Sequence, residues 1–342
     1  MFVCDVAPRG FCYTPAMREL TVGVIGGTGL GQAFASQARD SIHHEVHTPF
    51  GQPSSSILET RIDGVRVLFL SRHGPGHVIP PSMIPFRANV FALRKLGCTH
   101  VIASGAVGSL RDEFSPRDLV VCDQVIDKTY RRVGTFFDRA AVHVEFADPF
   151  CPVLRQLLLD AARSKSPANA MGEIDTLKVN QSTVHDFGCY LTMEGPAFST
   201  RAEALMHRMW GGDLIGMTAM PEAKLAREAE LPYALLAMVT DYDCWKPRPA
   251  VKEGEPAPTA DSLLSEIRHN LSAATSAAIE LLGGFMSRVG ESPEVRDALL
   301  TTCPAHHALA GAVWSDQSRL DPVEIDRLSL LWKHRLDGTE SL

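Results

Sequence analysis

Residues 235–245 read Leu-Leu-Ala-Met-Val-Thr-Asp-Tyr-Asp-Cys-Trp, and the rest of the predicted fold is arranged around them. The first five are apolar without alternation, as in a strand buried on both faces of a parallel sheet. Asp241 and Asp243 follow directly, and open α/β sheets bind ligands beyond the carboxyl ends of their strands. The alternative is that both aspartates are turn residues that begin the next element. The choice depends on the loops that follow the other strands.

Five further predicted strands also end in loops of small or polar residues. The strand and loop pairs are 21–25 with 26–31, 65–70 with 71–77, 99–103 with 104–109, a strand around Leu191 with 193–199, and 213–217 with Thr218. Helical stripes separate several of them, and residues 263–282 predict a long helix that ends before Gly283. This order predicts an α/β fold, a single domain with a mixed, mostly parallel central sheet flanked by helices.

Composition excludes several classes of protein. The chain has 342 residues, 45% of them hydrophobic and 21% charged, with a net charge of −7. No basic run is longer than Arg131-Arg132, which argues against a nucleic-acid partner, and no apolar run approaches the ~18 residues of a membrane span. Eight cysteines without a C-x-x-C pair predict neither a zinc ribbon nor a disulfide scaffold. We therefore expect a cytoplasmic protein with no membrane partner.

Three segments are predicted along the chain. Residues 1–19 form an N-terminal extension, expected to be disordered, that lacks the apolar core of a secretion signal, and Met17 is an alternative start of translation. Residues 20–285 form the α/β domain. Residues 286–342 form a helical C-terminal extension that carries no chemical motif.

Several strand-end loops offer donors to an anion. The loop at 26–31 presents backbone N–H groups and the Thr28 hydroxyl, and its glycine spacing fits a small anion better than a dinucleotide. Arg72 supplies a fork of N–H donors that suits phosphate. The small residues at 104–109 and Thr218 add further donors. His73 and His77 are interpreted as loop histidines, because Gly-Pro-Gly between them excludes a helix that would join them at a metal.

The remaining loops suit a sugar and a base. Glu194 lies in an apolar setting and is either the buried partner of a loop or a ligand for hydroxyl groups. With the backbone near Met217, it offers acceptors to a ribose. Asp241 and Asp243 offer an acceptor and, if one is protonated, a donor to a heterocycle. An anion, a sugar and a base are thus expected in one cleft, which favours the ligand interpretation of the two aspartates.

Nine ordered motifs resemble the trimeric purine nucleoside phosphorylase family over about residues 21–282. The matching runs are Gly-Gly-Thr-Gly-Leu (26–30), Thr-Pro-Phe-Gly (48–51), Ser-Arg-His-Gly (71–74), Cys-Thr-His-Val-Ile (98–102), Gly-Ser-Leu-Arg (108–111), Asp-Pro-Phe-Cys-Pro (148–152), Met-Glu-Gly-Pro (193–196), Phe-Ser-Thr-Arg-Ala-Glu (198–203) and Thr-Asp-Tyr-Asp-Cys-Trp-Lys (240–246). The resemblance implies the fold of that family, a homotrimer or dimer of trimers, and catalysis without a metal or organic cofactor.

The activity that the resemblance implies is phosphorolysis of a purine nucleoside. Inorganic phosphate attacks C1′ of S-methyl-5′-thioadenosine, the expected substrate, and yields adenine and 5-methylthioribose 1-phosphate for purine and methionine salvage. The alternative substrates are adenosine, 5′-deoxyadenosine or another 5′-modified purine nucleoside, including 6-oxopurine nucleosides.

The resemblance also implies roles for residues at matching positions. The phosphate would be bound by Thr28, Arg72, the Ala106 backbone and Thr218, with His73 beside it. The nucleoside would be held by Met217 at the ribose, Phe198 stacked on the purine, Ser199, Asp241 and Asp243 along its edge, and His143 of a neighbouring subunit at the 5′ end.

The chain departs from the family pattern at several positions. Gly105 stands where a threonine often helps to bind phosphate, and we expect Ser104 to supply the missing hydroxyl. Gly216 replaces an asparagine and Ala197 replaces an arginine. Loop 246–259 is about six residues longer than in the family, and Ala260 is smaller than the usual residue. These differences leave the 5′ substituent open.

Three other functions compete with the phosphorylase. A nicotinamide-dependent oxidoreductase would use loop 26–31, but it needs an acidic ribose anchor ~20 residues on, and Glu45 lies in a polar stretch. A binding homologue would have lost catalysis through Gly105 and Gly216. A hydrolase would use water in place of phosphate, which the donors at Thr28, Arg72 and Thr218 argue against.

The aspartate pair generates the first prediction. Burial and a like charge raise the pKa of one of two close carboxyl groups, so we expect Asp241 to donate to purine N7 while Asp243 accepts from the 6-amino group. Asp241→Asn should therefore lower turnover of adenine nucleosides far more than that of inosine, measured as kcat/KM for both. An equal loss on both substrates would refute the assignment.

Overall fold

In the computed structural model, which describes residues 19–27, 30, 41–168, 175–247 and 260–336, one mixed sheet forms the centre of the molecule. Its strands in the described ranges are β1 (Thr21–Gly26), β2 (Ile42–His44), β3 (Ile57–Ile62), β4 (Val65–Ser71), β5 (His100–Ser109), β6 (Leu119–Val121), β7 (Gln124–Lys128), β8 (Lys178–Val179), β9 (Ser182–His185), β10 (Cys189–Met193), β11 (Leu214–Gly216) and β12 (Tyr233–Tyr242).

The helices in the same ranges flank this sheet. They are α1 (Phe86–Lys95), α2 (Pro152–Lys165), α3 (Arg201–Met209), α4 (Glu222–Glu228), α5 (Ala260–Glu291), α6 (Pro293–Thr302), α7 (Pro322–Arg327) and α8 (Ser329–Leu336), with 3-10 turns at Pro75–His77, Pro81–Met83, Pro304–His307 and Gln317–Arg319. None of these helices combines the length and the apolarity needed to cross a bilayer.

The strand order places parallel strands at the centre. Along the main path it is β2-β3-β4-β1-β5-β12-β6-β9-β8, and the β4–β1–β5–β12 section is parallel throughout. The carboxyl end of β5 also pairs antiparallel with β11, which continues through β10 to β7. The predicted α/β class and mixed, mostly parallel sheet with flanking helices are confirmed.

Strand β12 is apolar from Ala234 to Val239 because both of its faces are buried there. Leu235, Ala237 and Val239 pack into the apolar cluster on one face, whereas Leu236 and Met238 pack into the cluster on the other. Successive side chains of a strand point to opposite faces, so a strand between two helical layers needs apolar residues at every position. This explains the unbroken apolar run in the sequence.

Helix α5 does not end before Gly283 as the sequence predicts. It continues to Glu291, and a Cβ at Gly284 would lie 3.5 Å from Lys165 and 3.7 Å from Ala161 of α2. These are ordinary contact distances, and a Cβ at Gly283 would meet no described atom within 4 Å, so neither glycine ends the helix. The buried residues Phe285, Met286 and Val289 extend the apolar stripe beyond them. The predicted boundary at 285 falls inside this helix, and residues 1–18 of the predicted N-terminal extension lie outside the described ranges.

A buried polar cluster connects the C-terminal segment to the amino end of β5. Nε2 of His100 and Nε2 of His306 lie 3.0 and 3.2 Å from the Leu299 carbonyl oxygen, and Cys303 Sγ is 3.6 Å from His100. Among the described residues this is the one group of three histidine, cysteine or acidic side chains close enough for a metal ion. It lies at the opposite end of β5 from the strand-end loops.

Glu228 makes the stability of the fold depend on pH. Its carboxylate accepts the Phe136 N–H at 2.7 Å, and burial raises its pKa from 4.5 to about 7. Between these two values the folded chain binds more protons than the unfolded chain, so stability falls as the pH rises through this window.

Glu228→Gln should remove most of this dependence. From pH 5 to pH 8 we expect the wild-type Tm to fall by a few degrees relative to that of the variant, because the shift corresponds to about 3 kcal/mol at most. Exposed Glu113→Gln is the control and should follow the wild type. Parallel Tm curves for wild type and Glu228→Gln would contradict the prediction.

Candidate active site

The strand-end loops meet around a buried ion pair between Arg72 and Glu222. Arg72 follows β4, and its Nε and Nη2 each donate to a Glu222 oxygen at 2.8 Å. The Arg72 side chain is 1% exposed and that of Glu222 is 0%. Burial opposes the charge of Arg72, but the Glu222 carboxylate outweighs this and raises the pKa of Arg72 above its ordinary value. The guanidinium therefore remains charged inside the protein.

The remaining hydrogen bonds of this pair fix its position. Arg72 Nη1 donates to the Ser104 carbonyl at 2.9 Å, and the Tyr233 hydroxyl donates to Glu222 at 2.9 Å. A Cβ at Gly27 would lie 3.9 Å from Nη1, so the glycine loop passes directly beside the guanidinium. The sequence analysis assigned the paired N–H donors of Arg72 to phosphate, but Nε and Nη2 donate to Glu222 instead. One outer N–H bond on each of Nη1 and Nη2 is left for an anion. Thr28, the next residue of that loop, lies outside the described residues.

Thr218 lies beside Gly105, so two of the predicted anion-binding loops are in contact. A Cβ at Gly105 would be 3.3 Å from the Thr218 hydroxyl, and the Thr218 N–H donates to the Tyr190 hydroxyl at 3.4 Å. Ala106, the next residue of β5, is exposed in an otherwise buried stretch. Its backbone is therefore open to a ligand at the place where the sequence predicts one.

Ser104 does not take the place of a threonine at position 105. Neighbouring residues of a strand point to opposite faces, and Gly105 faces Thr218 and Tyr190. The Ser104 hydroxyl therefore points away from Thr218, and it is buried without a hydrogen-bond partner in the described part of the chain. The expectation that Ser104 compensates for Gly105 is wrong.

His73 is a neutral, buried histidine next to Arg72. Its Nδ1 lies 2.8 Å from the Ile79 carbonyl, so this nitrogen carries the proton and Nε2 is an acceptor. Burial lowers the pKa of His73 to about 4, with a further contribution from Arg72. The His73 and His77 rings stack with centroids 4.1 Å apart, which the sequence interpretation did not expect. A 3-10 turn at Pro75–His77 brings them together without an α-helix.

Asp241 and Asp243 lie at the end of β12, where the strand pairing is irregular. The register against β5 shifts between Val239 and Asp241, and the Thr240 hydroxyl lies 2.6 Å from the Asp241 carboxylate. The Asp243 N–H donates to the Ser109 carbonyl at 3.0 Å. Oδ2 of Asp243 is buried and has no hydrogen-bond partner among the described residues. A buried acceptor of this kind is costly unless a ligand satisfies it.

Ser199 and Phe198 lie beside this pair. The Ser199 carbonyl accepts a hydrogen bond from Cys244 Sγ at 3.2 Å, which joins loop 195–200 to the residue after Asp243. Phe198 is 73% exposed, so its ring is available for stacking. The structure thus places the backbone of Ser199, the neighbour of Phe198 in the chain, beside Cys244 at the end of β12.

Glu194 is the buried partner of a loop, the first of the two alternatives. Its carboxylate accepts the N–H groups of Tyr130 and Arg131 at 2.9 and 3.2 Å, and Arg132 Nε at 3.2 Å. Burial opposes ionisation, but these donors outweigh it and lower the pKa of Glu194 below its ordinary value. Direct binding of ribose hydroxyls by this carboxylate is therefore disfavoured.

Arg132 holds several strand-end loops together, and sequence reasoning missed it. Besides Glu194, its guanidinium donates to the carbonyls of Met217 at 2.6 Å and Met220 at 2.7 Å. It fixes the backbone of Met217, which is half-buried next to Gly195. The Arg131-Arg132 pair was the available signal, but it was considered only as evidence about nucleic acid.

His143 lies outside this group of residues. It is exposed, its ring centroid is 4.9 Å from that of Trp314, and its N–H donates to the Ala312 carbonyl at 2.9 Å. The C-terminal extension therefore packs on the His143 loop. Trp314 itself is 73% exposed, so the two rings form an outward-facing pair.

Comparison with known proteins agrees with this geometry. A model of the phosphorylase superfamily matches residues 21–280. The S-methyl-5′-thioadenosine phosphorylase of Synechocystis sp. is 42% identical over 316 residues, which cover 92% of this chain and 87% of that protein. The chain belongs to the phosphorylase superfamily, in the group of the S-methyl-5′-thioadenosine phosphorylases.

Solved structures give the same result. A methylthioadenosine phosphorylase sourced from an Antarctic soil metagenomic library superposes with a TM-score of 0.77 at 36% identity, covering 92% of this chain and 99% of that chain. A variant of the adenosine/methylthioadenosine phosphorylase of Schistosoma mansoni, in complex with methylthioadenosine, gives 0.68 at 36% identity, with coverages of 83% and 99%. Because the chain belongs to this superfamily, the alternative of a nicotinamide-dependent oxidoreductase that uses loop 26–31 is set aside.

The ion pair generates a prediction about stability. Glu222→Gln leaves the buried Arg72 charge without its counter-ion, which should cost about 3–5 kcal/mol of unfolding free energy. Glu19→Gln is the control, because Glu19 pairs with Arg61 on the surface, where both side chains are more than half exposed, and should cost less than about 1 kcal/mol. Urea unfolding measures both values. Similar losses in the two variants would contradict the importance assigned to the buried pair.

Proposed function

We propose that this protein catalyses the phosphorolysis of S-methyl-5′-thioadenosine. An oxygen of inorganic phosphate forms a bond to C1′, the C1′–N9 bond breaks, and its electron pair leaves with adenine. The products are adenine and 5-methylthioribose 1-phosphate, as in purine and methionine salvage. The chain's similarity to methylthioadenosine phosphorylases supports this reaction.

One observation carries the proposal: Oδ2 of Asp243 is a buried acceptor with no hydrogen-bond partner among the described residues. It lies where the end of β12 meets the carboxyl end of β5, since the Asp243 N–H donates to the Ser109 carbonyl at 3.0 Å. Earlier on the same strand, the Ser104 carbonyl accepts from Nη1 of the charged Arg72 at 2.9 Å. An acceptor for a purine edge and a charged donor for an anion therefore lie along the carboxyl-terminal half of one strand, as a nucleoside with phosphate at C1′ requires.

The phosphate would be held by Arg72, Thr218 and the Ala106 backbone, with Thr28 contributing from the glycine loop. The N–H bonds of Arg72 that Glu222 and Ser104 do not use among the described residues would donate to the anion. His73 is neutral, so its Nε2 would accept a hydrogen bond from the P–OH group of a monoprotonated phosphate. The bound phosphate stabilises the positive charge that develops on the sugar while it attacks C1′.

The purine would lie between Phe198 and the end of β12. Asp241 would donate a proton to N7, which makes adenine a better leaving group. Asp243 would accept from the 6-amino group with its buried Oδ2, and Ser199 would lie along the same edge. The Met217 backbone, fixed by Arg132, would face the ribose, with Glu194 acting on the ribose site only through Arg132.

The 5′ end of the nucleoside would be completed by a second subunit. His143 and Trp314 form an exposed pair away from Asp241 and Asp243, which fits a residue that contributes to a neighbouring site better than one that acts in its own. We accordingly propose a homotrimer, or a dimer of trimers. Residues 248–259 and the side chain of Ala260 lie outside the described part of the chain.

Phosphate acts as a co-substrate in this proposal, and we expect no metal or organic cofactor. A cytoplasmic location is also proposed. It is supported by the eight cysteines, which lack a C-x-x-C pair and are too sparse for the disulfide scaffold of a small secreted protein.

A phosphate-dependent assay tests the reaction. Adenine release from S-methyl-5′-thioadenosine should require phosphate, and kcat/KM should fall in the order methylthioadenosine, adenosine, inosine. Equal release in phosphate-free buffer would indicate a hydrolase, and binding without release would indicate a homologue that has lost catalysis. If adenosine is the best substrate, the alternative function of an adenosine phosphorylase is favoured. The Schistosoma mansoni relative is named for both adenosine and methylthioadenosine. Light scattering on the same sample should give the mass of a trimer or hexamer.

A further inference from the structure

The Tyr190 side chain fills the space beside the two glycines that replace polar residues of the family. Tyr190 lies on β10 and is fully buried. A Cβ at Gly216 would lie 1.9 Å from its hydroxyl oxygen and 2.5 Å from Cζ, and a Cβ at Gly105 would lie 3.8 Å from that oxygen. Any side chain at position 216 would therefore collide with the tyrosine. The Tyr190 ring thus fills the space that a side chain at position 216 would need.

The Tyr190 hydroxyl is also bonded to the anion site. It accepts the Thr218 N–H at 3.4 Å, and the Thr218 hydroxyl lies beside Gly105. Burial raises the pKa of Tyr190, so the phenol keeps its proton near neutral pH. Tyr190 thus brings a polar group from β10 to the position where residues 105 and 216 offer none.

We propose that Tyr190 is a positioning residue for phosphate: its hydroxyl holds Thr218 in the orientation that binds the anion, in place of side chains at positions 105 and 216. The inference rests on the proposed function, since it specifies how that phosphate site is completed. It also explains why Gly105 and Gly216 are compatible with catalysis. The tyrosine supplies from a neighbouring strand what those two positions lack.

Tyr190→Phe removes the hydroxyl and retains the ring, so it separates binding from packing. We expect KM for phosphate to rise roughly fivefold to tenfold, as for the loss of one buried hydrogen bond, with KM for the nucleoside within twofold of wild type. The stabilising shift in Tm that phosphate produces should shrink in parallel, and this readout does not depend on turnover. Tyr130→Phe, whose ring is 79% exposed, is the control and should match the wild type.

A pair of variants tests the shared volume. Gly216→Asn alone should lower Tm strongly, whereas the same change combined with Tyr190→Val should be tolerated and should recover part of the phosphate affinity that Tyr190→Val loses. Such non-additivity is the sign of residues in direct contact.

The outcomes separate this inference from the proposed function. Phosphate-dependent adenine release by the wild type, with an unchanged phosphate KM in Tyr190→Phe, would overturn the role of Tyr190 alone. A drop in kcat with no change in KM for phosphate would do the same, since a merely structural role predicts it. Release that is independent of phosphate in the wild type would overturn the proposed function instead.

Discussion

The buried pair of Arg72 and Glu222 is the interaction on which the site depends. A guanidinium can be placed among apolar strands only if its charge is paired and its N–H groups are bonded. Glu222 pairs the charge and accepts two N–H bonds of the guanidinium, and the Ser104 carbonyl accepts a third. The pair joins the end of β4 to the start of α4 and, through Tyr233, to the start of β12. Three separate segments of the chain therefore share one fixed charge beneath the proposed phosphate position.

A second polar network joins the loops that follow β10 and β11. Arg132 bonds to Glu194 and to the carbonyls around Met217, so one guanidinium connects both loops. Both networks use an arginine with a carboxylate, but they differ in how the arginine uses its donors. Arg72 keeps outer N–H bonds that Glu222 and Ser104 do not use among the described residues, whereas Arg132 directs nearly all of its donors at the protein. This difference is the reason that Arg72 is proposed to bind the anion and Arg132 is not.

The sequence predicts most of the fold and names candidate site residues, but it does not show how they are held. The end of β4 is visible because its apolar run stops just before Arg72, whereas residues 104–109, predicted as a loop, continue β5 to Ser109, and β12 continues through Asp241 to Tyr242. The partner of Arg72 is invisible, since Glu222 is 150 residues away and has the pattern of an ordinary helix start. The continuation of α5 past Gly283 was missed for a related reason: its cause is the approach of α2, a tertiary contact. The hydroxyl that faces Thr218 comes from Tyr190, which only the pairing of β10 with β11 places there.

The irregular pairing at Thr240 determines which way the aspartates face. In a regular strand the direction of each side chain follows from its position, and a shift of one residue reverses it. A bulge introduces such a shift at one point and also bends the strand. The directions of the side chains in the run Thr-Asp-Tyr-Asp therefore depend on its register against β5. The same four residues grafted onto a regular strand would turn their carboxylates toward the opposite face of the sheet. The base recognition proposed for this site therefore depends on strand alignment as much as on residue type.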